Sequence, residues 1–126
     1  MKKVISSKEA PAAIGPYSQA VEVNNMLFAS GALGIDCQTG EFVLGAVREQ
    51  TIQALNNVDA ILKAAGISFS NVVKTTVFLA DMSDFSVMNE EYALRFVEPY
   101  PARSTVAVKT LPKNALVEIE FIAVRD

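Results

Sequence analysis

The 126-residue sequence carries a net charge of −3, and 51% of its residues are hydrophobic against 20% charged, so it has ample material for a packed core. It contains no histidine and a single cysteine, Cys37, which excludes Ser-His-Asp and Cys-His catalysis, histidine-containing zinc sites and an intramolecular disulfide. Lysine and arginine are scattered along the chain, so there is no phosphate-binding footprint and nucleic acid is not an expected partner.

The length suits one domain, residues 1–126, and no polar or low-complexity stretch divides it. The start, Met1 to Glu9, turns polar after Val4-Ile5 and lacks the apolar region of a signal peptide. No segment reaches the roughly 20 apolar residues of a membrane span, so a cytoplasmic chain with no membrane partner is expected. Neither GxGxxG nor GxxxxGK[ST] occurs, which leaves no case for a dinucleotide or nucleoside triphosphate. No cofactor and no metal are expected. Any chemistry must come from Arg, Lys, Glu, Asp, Tyr, Ser, Thr and backbone groups.

In chain order, Gln19 to Val23 and Met26 to Ser30 read as a hairpin turned by Asn24-Asn25, two residues that tolerate positive φ. Asp36 to Gly40 is a second turn and places Cys37 on a loop. Val47, Ala54, Leu55, Val58, Ile61, Leu62 and Ala65 fall on one helical face, with Gly66 where a terminating glycine belongs. Val72 to Leu79 reads as a strand, and Asp84 is expected to cap a second helix running through Phe96, ended by Pro99 and Pro101. Arg103 to Val108 and Leu116 to Val124 read as strands joined by a turn around Leu111 to Asn114. The order is two or three strands, helix, strand, helix, two strands. It predicts an α+β fold, a mixed sheet with both helices on one face. The last strand shows Val117, Ile119, Phe121 and Ala123 on one face and Leu116, Glu118, Glu120, Ile122 and Val124 on the other. Two helices cover only one such face, so the other predicts a homo-oligomer.

Five places could carry chemistry. The uncharged, proline-rich segment Ala10 to Ser18 must pack against something, with Tyr17 either a half-buried aromatic or the wall of a pocket. Arg103 opens a strand beside the small residues Thr105 and Ala107; its fork suits a carboxylate, unless it pairs with an acidic side chain of the protein. Glu118 and Glu120 share a face of an otherwise apolar strand, so at least one should have a definite partner. They are either members of a structural ion pair, Arg103 being a candidate partner, or a general acid/base of raised pKa. Asn89 lies on the stripe Phe85, Met88, Tyr92, Phe96, as a satisfied amide of a core or interface. Ser30-Gly31 ends a strand, where glycine eases the chain into its loop or lets a ligand approach the backbone.

The segments Ala10 to Gln19, Asn71 to Phe78, Pro101-Ala102-Arg103-Ser104, Leu111-Pro112-Lys113 and Val117-Glu118-Ile119-Glu120 closely resemble the RidA/YjgF-like family of enamine/imine deaminases, in order and along the whole chain. The resemblance implies a chorismate-mutase-like α+β fold, a homotrimer with ligand clefts between subunits, and cofactor-free hydrolysis of 2-iminopropanoate and 2-iminobutanoate to 2-keto acids and ammonia. By the same resemblance Arg103 grips the substrate carboxylate and Glu118 holds and activates water. Tyr17 is then the cleft tyrosine, Ser30-Gly31 borders the reacting carbon and Asn89 lies near the cleft. Two positions depart from many active relatives: Thr105 stands in place of cysteine and Ala32 in place of glutamine. The backbone N–H of Thr105, which could donate to the carboxylate, survives the change. A non-catalytic carboxylate-binding regulator, or a holdase-like chaperone of the same fold, is the alternative; retention of Glu118 beside Arg103 favours the enzyme. RNA cleavage, claimed for some relatives, is the weakest reading in a chain without histidine or a basic groove.

Overall fold

The computed structural model describes residues 1–126. The chain begins with a short strand β1 (Lys3–Ile5), too short for its pattern to signal it, and continues into the hairpin β2 (Ala20–Val23) and β3 (Met26–Ala32). Val23 pairs with Met26, leaving Asn24 and Asn25 as a two-residue loop at φ 50° and 65°. That is the left-handed pair a tight hairpin needs, and asparagine tolerates it better than most residues.

Helix α1 (Val47–Ala64) buries Val47, Thr51, Ala54, Leu55, Val58, Ile61 and Leu62 along one face. It stops at Gly66, which takes φ 75° while its N–H donates to Lys63 O (2.9 Å) and that of Ile67 to Leu62 O (3.0 Å). This pairing satisfies carbonyls the helix end leaves free, and glycine adopts the required conformation without strain. Strand β4 (Val72–Leu79) follows, then α2 (Phe85–Ala93), β5 (Ala102–Ala107) and β6 (Val117–Val124).

Two expectations about α2 are corrected. Asp84 makes no side-chain cap; Asp81 instead accepts from Ser83 N–H (2.9 Å) at a preceding 3-10 turn. The helix ends at Ala93 rather than Phe96, well before Pro99. Its last turn tightens, with Leu94 N–H on Glu91 O (3.2 Å) and Arg95 N–H on Tyr92 O (3.0 Å), and Phe96 remains buried against Tyr92.

The six strands form one sheet in the order β1-β2-β3-β6-β4-β5, antiparallel except for the β4–β5 pair, which α2 connects. Val117, Ile119, Phe121 and Ala123 of β6 join Leu27, Val72, Val77 and Leu79 in one core with Leu55, Val58 and Leu62 of α1 and Met88 of α2. Each fully buried aliphatic side chain of this kind contributes on the order of 2 kcal/mol. The opposite face presents Phe28, Phe78 and Ile122 across neighbouring strands, with Phe28 37% and Val106 44% exposed. No helix of the chain covers it.

Candidate active site

Glu118 rises from the open face of β6, beside the point where β3 and β6 lose register between Ala29 and Ala32. Gly31 lies in that irregularity. A Cβ on Gly31 would fall 2.6 Å from Glu118 Cδ, so the carboxylate occupies the space that the missing side chain leaves. Burial pushes the Glu118 pKa upward, and the nearby Glu120 charge adds to the rise. No cation pairs with it; the ion pairs of the chain join Arg48 to Glu90 and Glu91, Lys63 to Asp59, and Arg125 to Glu22.

Tyr17, Ser30, Gly31 and Glu118 line one hollow of about 660 Å³, whose walls also include Ile35 and Cys37. Tyr17 is 54% exposed at its rim. The loop that carries it is held by Gln19, whose amide donates to Pro11 O (2.7 Å) and Ala10 O (3.3 Å) and accepts from Ser7 N–H (2.7 Å). Ser30 Oγ donates to Ser18 O (2.7 Å), tying the strand end to the same loop. From the other side Asn57, buried on α1, donates from Nδ2 to Leu33 O and Ile35 O, both at 2.9 Å, and fixes the chain just after Gly31. Gln19 and Asn57 were not anticipated. Asn57 had a legible signal, a polar residue on the stripe of Ala54, Val58 and Ile61; Gln19 had none.

Arg103 belongs to a second cluster. It pairs in parallel register with Thr75 of β4 and donates from Nη1 to Asn89 Oδ1 of α2 (2.7 Å), while its Cζ lies 4.7 Å from the Tyr92 ring centre and 5.5 Å from that of Phe85. Its partner is therefore a neutral amide. Asn89 accepts this bond through Oδ1 from its place on the helical stripe. Thr105 stands two residues along the same edge strand. Val108 N–H donates to Leu79 O (2.9 Å), and alternation along β5 turns the N–H groups of Thr105 and Arg103 the other way, out from the free edge of the sheet. Thr105 Oγ1 is buried without a hydrogen-bond partner.

Within one chain the two clusters stay apart, and the Arg103–Glu118 ion pair left open by the sequence does not form. The definite partner expected of at least one of Glu118 and Glu120 is not found among the ion pairs of the chain. No group of three or more Cys, Asp and Glu side chains is placed to hold a metal ion. No helix is long and apolar enough to cross a membrane. What the arrangement offers is a carboxylate-matching fork with an outward backbone N–H, and separately a half-buried carboxylate whose pKa burial raises.

Residues 7–125 match the profile of the protein family described as Endoribonuclease L-PSP. Reactive Intermediate Deaminase A, chloroplastic, of Arabidopsis thaliana is 55% identical over 97% of this chain, which spans 65% of that protein's length. The 2-iminobutanoate/2-iminopropanoate deaminase of Mus musculus is 54% identical, covering 99% of this chain and 93% of its own. The solved structure of E. coli TdcF with bound serine superposes at a TM-score of 0.93 with 46% identity, covering 98% of this chain and 99% of that one. With 54–55% of its aligned residues shared with the two deaminases along almost its whole length, and with the fold of the solved relative, the chain belongs to the RidA/YjgF family.

Proposed function

We propose that this chain, as one domain of residues 1–126, hydrolyses reactive 2-imino acids such as 2-iminopropanoate and 2-iminobutanoate to 2-keto acids and ammonia, at a site built by two neighbouring copies. The single observation that carries this reading is the pairing of unspent groups: an arginine fork held by a neutral amide, and a half-buried carboxylate with no cation beside it. Neither group is used up in holding the fold. Relatives from Mus musculus and Homo sapiens, 54% and 50% identical, are named 2-iminobutanoate/2-iminopropanoate deaminase.

The chemistry asks for little more. Arg103 takes the substrate carboxylate through two nitrogens, and the Thr105 N–H adds a third donor from the free strand edge. Asn89 steadies the arginine from behind. The protonated imine is already electrophilic, so a positioned water suffices as nucleophile. Glu118 accepts a proton from that water as its oxygen bonds to C2, and the C=N π pair moves onto nitrogen to give a tetrahedral aminoalcohol. Glu118 returns the proton to nitrogen; the C–N bond then breaks, ammonia leaves, and the hydroxyl proton is lost as C=O forms. A carboxylate of raised pKa suits both halves of this cycle. The open sheet face with Phe28, Phe78 and Ile122 supplies a reason for copies to associate, and a homotrimer closes the arrangement with three equivalent clefts. A reducing, cytoplasmic setting suits the free thiol of Cys37. RNA cleavage, which the family's description names, fits poorly with a net charge of −3 and no histidine.

The test is a coupled assay in which threonine dehydratase releases 2-iminobutanoate and appearance of 2-oxobutanoate is followed with and without this protein. Faster release of the keto acid, proportional to the amount added, is the expected result. An unchanged rate, with a known deaminase accelerating the same mixture, overturns the proposal.

A further inference from the structure

We infer that Tyr92 is a positioning residue that fixes the plane of the Arg103 fork; the inference rests on the carboxylate-binding role proposed above for Arg103. Arginine is long and flexible, and the single bond from Nη1 to Asn89 leaves the guanidinium free to swing about that bond. A second constraint is needed to aim a planar fork at a carboxylate. The Tyr92 ring supplies it, with Arg103 Cζ 4.7 Å from its centre, within the range of cation–π attraction.

The ring is itself held firmly. It stacks on Phe96, with centroids 4.3 Å apart and planes at 25°, and Phe96 is braced edge-on by Phe69 at 5.1 Å and 87°. The Tyr92 hydroxyl hydrogen-bonds Thr75 Oγ1 (2.7 Å), a fully buried residue on β4. Thr75 is also the residue that stands opposite Arg103 in the β4–β5 register. One threonine thus references both the backbone that bears the arginine and the ring beneath its guanidinium. This bond adds to the ring's hold on β4, and its loss should cost stability more than it alters the face offered to Arg103. Tyr92 is 6% exposed and reaches no substrate, so its effect passes through Arg103. A ring that merely filled the core would leave ligand binding unmoved when its π face alone is altered.

The experiment replaces Tyr92 with phenylalanine, with mono-, di- and trifluorinated phenylalanines, and with leucine, and measures KM, kcat and competition by 2-oxobutanoate beside thermal unfolding. Tyr92→Phe keeps the face and should bind 2-oxobutanoate within about threefold of the parent. Each added fluorine draws charge from that face at nearly constant volume, so binding should weaken stepwise, reaching roughly tenfold in the trifluoro and Tyr92→Leu proteins, with kcat within about twofold. In an Arg103→Ala background the same series should have no further effect on binding. Should Tyr92→Leu fail to fold, the fluorinated series still decides. A flat fluorine series, while Arg103→Ala alone weakens binding, overturns the role of Tyr92 and leaves that of Arg103 standing. Undiminished binding in Arg103→Ala overturns the reading on which both depend.

Discussion

Arg103 and Glu118 leave the sheet on opposite faces. Arg103 stands opposite Thr75 on β4, and Glu118 stands opposite Phe78 on the same strand, three positions further along. An odd separation on a pleated strand means opposite faces, and the surroundings agree: Arg103 meets Asn89 and Tyr92 of α2, while Glu118 lies over Gly31 on the side no helix covers. The two groups that the proposed reaction needs together are thus displayed by each copy in two directions. A second copy is what can unite them.

The two residues should fail in different ways when replaced. Arg103→Ala removes a charge-assisted, two-point contact with the carboxylate, so KM and the competition constant of 2-oxobutanoate should rise by about 10²-fold, and Arg103→Lys should recover only part of that. Glu118→Gln should keep 2-oxobutanoate binding and slow kcat by about 10²-fold. Steady-state kinetics with product competition separates the outcomes; the same loss of binding in both variants contradicts the assigned roles.

The raised pKa of Glu118 gives a pH signature with a definite sign. The folded chain holds this proton more tightly than the unfolded chain, so its stability falls as pH climbs through the window from the ordinary carboxylate value to the raised one. Glu118→Gln removes that penalty. The variant's unfolding temperature should gain on the parent's as pH rises from acid to neutral, and the parent's kcat should decline on acidification through a pKa above the usual carboxylate range. A temperature difference independent of pH contradicts both.

Gly31→Ala should spare the fold and damage the reaction. The new methyl group meets the side chain of Glu118 rather than backbone, so the carboxylate should move aside instead of the strands. A displacement of this size in a positioned group costs about 10²-fold in turnover. Unfolding temperature and kcat measured together check it, and an unaltered kcat would mean that the close approach of Glu118 to Gly31 has no part in catalysis.

These residues were unequally visible before the structure. The Asn24-Asn25 hairpin, the α1 face closed by Gly66 and the strand Val72–Leu79 were legible because each depends on near neighbours and on a period of two or 3.6 residues. The two-sided character of β6 was legible for the same reason. The end of α2 was not, because Phe96 continues the apolar stripe in sequence although it stacks on Tyr92 from beyond the helix. Asn89 as the partner of Arg103, and Gln19 as the anchor of the Tyr17 loop, depend on contacts between separate elements that no local pattern records. Arg103 and Glu118 could be selected by type and place, yet their divergence needed the strand order and register, which put β4 between β6 and β5.

Thr105→Cys should leave kcat/KM within about an order of magnitude, since the donor aimed out of the sheet edge is the backbone N–H. The Thr105 hydroxyl is buried without a partner, so its replacement by a less polar thiol should not lower the unfolding temperature. Abolished activity, or a very large gain, would assign the side chain a direct role.

The most direct test of a deaminase site shared between copies is complementation. Arg103→Ala and Glu118→Gln proteins, each nearly inactive alone, are denatured together, refolded as a mixture and assayed with 2-iminobutanoate, with light scattering to verify the trimer. Random assembly of equal amounts makes about one quarter of the clefts from an intact Arg103 of one copy and an intact Glu118 of the next, so about a quarter of parental activity should return. Activity no greater than the average of the two separately refolded variants, in trimers that have mixed, would contradict a site built from both copies.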